Sequence, residues 1–223
     1  IIHSPSKSIR PIYNLCKLNA KQVIKNHLSK EDKYTFSLNE LSNYLGMRDI
    51  KKIEGYDVSH ISGDNAVASC VVFSKSGPRK NNYRLFNIPK SLAGNDIGSL
   101  EHVIGRRLKY YDDPKIKPDL VLIDGGESQL KFVKKVIDGS KHKDLEVISI
   151  VKGVNRLRAT ETIIGKAGIL ELEKYSKAFL LLQEIRDESH RFALQAQRKK
   201  KRSKITKSEL DNIKGIGNIL KQR

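Results

Sequence analysis

Val121-Leu122-Ile123-Asp124-Gly125-Gly126 runs from three apolar residues into a carboxylate and two glycines. Apolar character unbroken by polar alternation suits a central parallel strand covered on both faces. Asp124 then stands at the carboxyl end of that strand, where open α/β sheets place their ligands. The glycines allow a sharp turn and keep bulky side chains away from whatever Asp124 binds. A helix-capping Asp in a tight turn accounts for the same residues. A phosphate-cradling loop does not, because no Gly-Lys-Ser/Thr follows and Glu127 has the wrong sign.

On either side of this strand the hydrophobic pattern alternates. Strands are predicted at Lys52–Val58, Ala66–Phe73, Tyr83–Ile88, Leu120–Asp124 and Val147–Val151. The first three are joined by Gly63-Asp64-Asn65 and Ser76-Gly77-Pro78, short turn-like links that make an antiparallel meander. Helices predicted at Leu100–Tyr110 and Ser128–Ile137 then alternate with the last two strands, the pattern of parallel crossovers. The expectation is an α/β fold: a mixed five-stranded sheet with flanking helices. Residues from about Pro11 to Leu45 read as two short helices, the second opened by a capping box at Ser37-Leu38-Asn39-Glu40. Arg158–Leu172 reads as a hairpin insertion turning at Gly165-Lys166, before a long helix from about Ser176 to Arg198.

Charge narrows the partners. The chain carries 43 Lys+Arg against 25 Asp+Glu in 223 residues, a formal charge of +18. Such an excess implies a polyanion, either nucleic acid or an acidic membrane surface. No apolar run approaches the roughly 18 residues that span a bilayer, and the basic residues do not follow one long amphipathic helix. Nucleic acid is favoured and a membrane is not expected. Cys16 and Cys70 lie far apart, each without a second cysteine at zinc spacing, so neither a metal ribbon nor a disulfide framework is indicated. Cys70 reads as a small buried hydrophobe, and a cytoplasmic location fits. The chain opens on Ile1, consistent with a fragment of a longer protein.

Two further positions draw attention. Asp57, in Gly55-Tyr56-Asp57-Val58-Ser59-His60, lies within a predicted strand, where a buried carboxylate must be paired or ligate a metal. A salt bridge to a lysine satisfies that rule. If the first and fourth strands are neighbours, however, Asp57 and Asp124 face each other, and a divalent cation relieves their repulsion. In the long helix, Ala178, Leu181, Leu182, Ile185, Ser189, Phe192 and Ala196 form a buried stripe. His190 lies beside it, sharing a polar face with Gln183, Arg186, Asp187, Leu194 and Gln197. A solvated face with a chance histidine fits as well as a cleft does. His190 can complete a site with the two carboxylates as metal ligand or proton carrier. A donor set rich in carboxylate and free of cysteine favours Mg2+ or Mn2+.

These motifs, with Val67–Phe73, Tyr83–Ile88 and Ile185-Arg186-Asp187-Glu188-Ser189-His190-Arg191-Phe192-Ala193, closely resemble the C-terminal nuclease half of UvrC. UvrC is the incision subunit of bacterial nucleotide excision repair, and the resemblance runs from about Lys51 to Lys204. It implies an RNase H-like core related to endonuclease V, cutting on the 5′ side of a lesion in damaged double-stranded DNA. The family's Asp-Asp-His triad falls on Asp57, Asp124 and His190, and its Ala-Lys-Gly loop on Val151-Lys152-Gly153. A UvrB-type partner is implied too, although its contact region is not identifiable. The family's N-terminal GIY-YIG nuclease has no counterpart, and only one of two helix-hairpin-helix motifs is visible, at Ile213-Lys214-Gly215-Ile216-Gly217.

The expected organisation is a helical linker segment at 1–50, an RNase H-like endonuclease domain at 51–200, and a basic linker with a partial helix-hairpin-helix at 201–223. DNA contacts are expected from Lys152, Arg191, Arg198, Lys199, Lys200, Lys201 and Arg202, and from the backbone at Gly215 and Gly217. A solvated charge run and a plain packing loop are the ordinary alternatives for the last two groups. His60 points to the opposite strand face from Asp57 and reads as a residue supporting the site from behind or as a structural one; His3, His27, His102 and His142 read as surface residues. A DNA-binding scaffold with a silent centre, and an enzyme acting on RNA, are the competing functions.

Overall fold

The structure is a computed structural model describing residues 9–59, 66–151 and 161–208. Its strands are β1 (Lys52–Ser59), β2 (Val67–Ser74), β3 (Gly77–Pro78), β4 (Arg84–Asn87), β5 (Leu120–Asp124), β6 (Glu146–Val151), β7 (Thr162–Gly165) and β8 (Gly168–Leu170). The helices are α1 (Arg10–Leu45), α2 (Asp96–Leu108), α3 (Glu127–Asp138) and α4 (Lys177–Ser208). All the strands join one sheet in the order β3-β2-β1-β5-β6-β7-β8, with β4 also paired to β2. The β1–β5 and β5–β6 pairs are parallel and the rest antiparallel. The five predicted strands all form. The sheet is wider than five because the hairpin β7–β8 pairs with β6 instead of standing apart, and the two-residue β3 extends the edge at β2.

β5 occupies the centre that its unbroken apolar run demands: Leu120, Val121, Leu122 and Ile123 are all buried. Helices cover both faces. Successive β1 residues point to opposite sides: Glu54 meets Arg107 of α2, whereas Gly55 lies against Ile185 of α4. Burial of the core residues of β1, β2, β5 and β6 between these layers supplies the main stabilisation, at about 25 cal/mol per Å2 of apolar surface.

Several expectations need correction. The N-terminal segment is one helix, not two, with no cap at Ser37. The Ser37 hydroxyl donates to the Lys33 carbonyl one turn back, which keeps a serine inside a helix. Glu40, expected to complete that box, instead accepts from the Ala178 amide and caps the first turn of α4. Residues 198–207, read as a linker, continue α4, since Lys and Arg are good helix formers. The buried stripe of α4 leaves Ser189 through Ala193 and Gln197, while Phe192 is half-buried with its ring edge against Tyr83. His142 is buried, its ring packed against Tyr111 and its Nε2 3.5 Å from Asp112. Cys70 is buried as expected. Among the described residues, no helix is long and apolar enough to cross a membrane. His60, Lys152, Gly215 and Gly217 lie outside the described residues, as does the predicted helix-hairpin-helix.

Candidate active site

Parallel pairing of β1 with β5 runs in register from Ile53↔Leu120 to Tyr56↔Ile123. The next residue of each strand is a carboxylate, Asp57 on β1 and Asp124 on β5, and residues in parallel register point to the same face. That face is covered by α4, which carries His190. His190 Nδ1 lies 3.1 Å from Asp57 Oδ2. One donor atom from each of Asp57, Asp124 and His190 lies within 4.8 Å of the others. Three distant stretches of chain thus converge at the carboxyl ends of two parallel strands, where the sequence pattern placed a ligand. The N-cap of α3 is Gly126, whose amide donates to Gln129 Oε1 at 2.7 Å.

Burial is graded across the group. Asp57 is buried, Asp124 is half-buried, and the His190 side chain is 47 % exposed. The three side chains thus run from a buried carboxylate to an imidazole that solvent reaches. A cleft of about 650 Å3 lies elsewhere, lined by Lys33, Phe73, Lys80, Asp187, Glu188 and Arg191, with none of the three converging residues in its wall.

Around the three residues, α4 is fixed by polar contacts that sequence reasoning missed. Ser59 Oγ donates to Asp57 Oδ2 at 3.0 Å, and Gln197 Nε2 donates to the Ser59 carbonyl at 2.9 Å. Ser69, paired with Asp57 across β1–β2, donates to the Ser189 carbonyl at 2.8 Å, one residue before His190. Arg186, one turn before His190, forms a buried ion pair with Glu161, which also accepts from Gln183 at 2.8 Å. The available signals were the two-residue period linking Asp57 to Ser59 and the helical face shared by His190 and Gln197.

The other expected site residues are placed unevenly. Arg191 is bidentate to Glu188, at 2.6 and 2.8 Å. Its guanidinium hydrogen bonds hold the Glu188 carboxyl below the usual range, and the same bonds raise Arg191. Arg198 and Lys199 are exposed on α4 beyond the site; Lys200, Lys201 and Arg202 lie on the same helical backbone.

A family model, the UvrC RNAse H endonuclease domain, matches residues 42–194. The chain belongs to this family. UvrABC system protein C of Saccharophagus degradans is 38 % identical over 201 residues, covering 89 % of this chain and 33 % of its own. Its counterpart in Legionella pneumophila (strain Paris) is 36 % identical over 202 residues, again 89 % and 33 %. The chain therefore spans about a third of the length of these curated relatives. Among solved structures, the catalytic domain of human endonuclease V is 15 % identical with a TM-score of 0.43, covering 68 % of this chain and 84 % of that one. Endonuclease V from Streptomyces avermitilis is 14 % identical with a TM-score of 0.39, covering 76 % and 94 %. With the family's RNase H endonuclease domain established over residues 42–194, the mixed sheet is the frame of a nuclease domain.

Proposed function

We propose that this domain hydrolyses one strand of damaged duplex DNA with the help of a divalent cation, making the 5′ incision of bacterial nucleotide excision repair. The observation that carries the reading is the convergence of Asp57, Asp124 and His190 within 4.8 Å. Two carboxylates and one imidazole, with no thiol, are a hard donor set that suits Mg2+ or Mn2+. Asp57 and Asp124 would hold the ion, with His190 beside them. When bound, such a cation supplies Lewis-acid polarisation of the scissile phosphate and a water of lowered pKa. The chain's own part is to orient and to move a proton. With Nδ1–H donating to Asp57, His190 presents Nε2 as the basic ring nitrogen and can take a proton there; direct ligation by the imidazole is the alternative role. The formal charge of +18 supports backbone binding without sequence readout, and lesion choice would then rest with a UvrB-type partner.

An incision assay on a lesion-bearing duplex, with and without Mn2+, tests this. Asp57→Asn should abolish metal-dependent nicking and leave duplex binding intact, since it removes a ligand and no phosphate contact. Cutting by that variant at the parent's rate would remove Asp57 from the chemistry. Parent protein that binds duplex yet never nicks it would instead favour the scaffold, and preferential cleavage of an RNA–DNA hybrid would change the substrate.

A further inference from the structure

We infer that Ser59 is a positioning residue for the Asp57 carboxylate, held in place by Gln197; this rests on the metal-dependent reading above. Asp57 Oδ2 accepts from Ser59 Oγ at 3.0 Å and lies 3.1 Å from His190 Nδ1, which donates to it in the Nδ1–H tautomer, since an ionised carboxylate can only accept. The terminal torsion of an Asp side chain is soft, so a lone strand carboxylate samples a broad arc. Two donors converging on one oxygen remove that freedom. Because the carboxylate is planar, fixing Oδ2 also fixes Oδ1 relative to Asp124 and His190.

Ser59 has an anchor of its own. It is the last residue of β1 and lies on the α4 side, two residues beyond Asp57. Its carbonyl accepts from Gln197 Nε2 at 2.9 Å, and both residues are buried. Gln197 lies two helical turns beyond His190, so one helix meets the strand end at two points: His190 on Asp57 and Gln197 on Ser59. Packing alone does not require the hydroxyl, because an apolar residue at position 59 would fill the α4–β1 interface and its carbonyl would still accept from Gln197. The hydroxyl places a directional donor where the site needs an oriented carboxylate. Groups that orient metal-binding carboxylates are typically worth about 10–100-fold in metal affinity or activity.

The test compares Ser59→Ala, Ser59→Thr and Ser59→Val in the full chain, with Asp57→Asn as control. Thr and Val share a shape and differ in the hydroxyl, so any penalty from the added methyl group is common to both. Mn2+ affinity by titration calorimetry is the first readout, and kcat against KM for duplex nicking is the second. Ser59→Ala and Ser59→Val should weaken Mn2+ binding by about 10–100-fold and lower kcat with KM for duplex unchanged, whereas Ser59→Thr restores both. Ala binding Mn2+ as the parent does, or Thr no better than Val, overturns the role of the hydroxyl. If Asp57→Asn loses Mn2+ while the Ser59 variants keep it, only this inference falls. If the parent and Asp57→Asn bind Mn2+ alike, the metal-dependent reading falls and takes it along.

Discussion

At Gly55, α4 runs so near β1 that an added Cβ would lie 2.3 Å from Ile185 Cγ2 and 3.2 Å from Val71 Cγ2. Ile185 is fully buried and branched at Cβ, so its methyl group cannot swing clear. Gly55→Ala should therefore cost about 1–3 kcal/mol by overpacking. It should also push α4 away from the sheet and shift His190 relative to Asp57, and misplacement of about 1 Å can cost on the order of 100-fold in rate. Ile185→Ala alone should cost about 2–5 kcal/mol through its cavity. Together the two changes should cost less than the sum of their separate costs, with a coupling of about 0.5–3 kcal/mol in chemical denaturation. Strict additivity would mean that the helix does not rest on Gly55. Nothing in the sequence reveals this contact, because a glycine's missing side chain has no period. Asp57, Asp124 and His190 were legible for the opposite reason: each breaks a local pattern, as a carboxylate in a strand or as a histidine beside a buried helical stripe.

The elements around the site depend on a second buried group on the other face of β1. Glu54 is fully buried and pairs with Arg107 of α2 through Nε at 3.1–3.2 Å and Nη2 at 2.5 Å. Tyr56 and Tyr111 donate to Glu54 Oε2 at 2.6 and 2.7 Å. Burial, reinforced by the Glu54 charge, raises the Tyr56 and Tyr111 phenols and the Cys70 thiol well above their ordinary values. The unfolded chain then gives up these protons first. Stability from the group is whole below about pH 8.5–10 and is lost as pH rises beyond it. Lys52, lowered by partial burial, titrates in the opposite sense, so the network is best read by difference. Tyr56→Phe should cost about 1–3 kcal/mol at pH 7 by leaving Glu54 short of a donor, and should show a shallower alkaline decline than the parent. Denaturant titrations from neutral to alkaline pH check both; a parallel decline would place the titrating groups elsewhere. Elements were legible where local pattern decides them. β5 was bounded to the residue because its apolar run stops at Asp124. α1 was split because Ser37 resembles a cap locally, and only the helix around it turns its hydroxyl back to Lys33. The true partner of Glu40 is Ala178, a contact made by the tertiary fold and absent from any local window.

Over the whole molecule, charge and the length of α4 combine. The helix runs unbroken from Lys177 to Ser208, so at 1.5 Å per residue Lys199 lies only about 14 Å along the axis from His190. Arg198 and Lys199 are exposed there, and the basic sequence continues along the same helical backbone through Lys200, Lys201 and Arg202. A rigid helix fixes that spacing in a way a linker would not. On the proposed reading, a phosphate held by the basic end would then set which phosphate reaches Asp57 and Asp124. Each neutralised phosphate steepens the salt dependence of duplex binding by about 0.9 in log–log slope. Replacing Lys199, Lys200 and Lys201 with Ala should weaken binding uniformly across sequences and flatten that slope by up to roughly 2–3. Fluorescence anisotropy over a salt series measures it, with nicking followed in parallel. Cleavage should recover at low salt or high protein, because Asp57, Asp124 and His190 are untouched. An unchanged slope with nicking lost at every protein concentration would mean that these lysines act on the fold or the chemistry, and that the basic end of α4 is not the clamp.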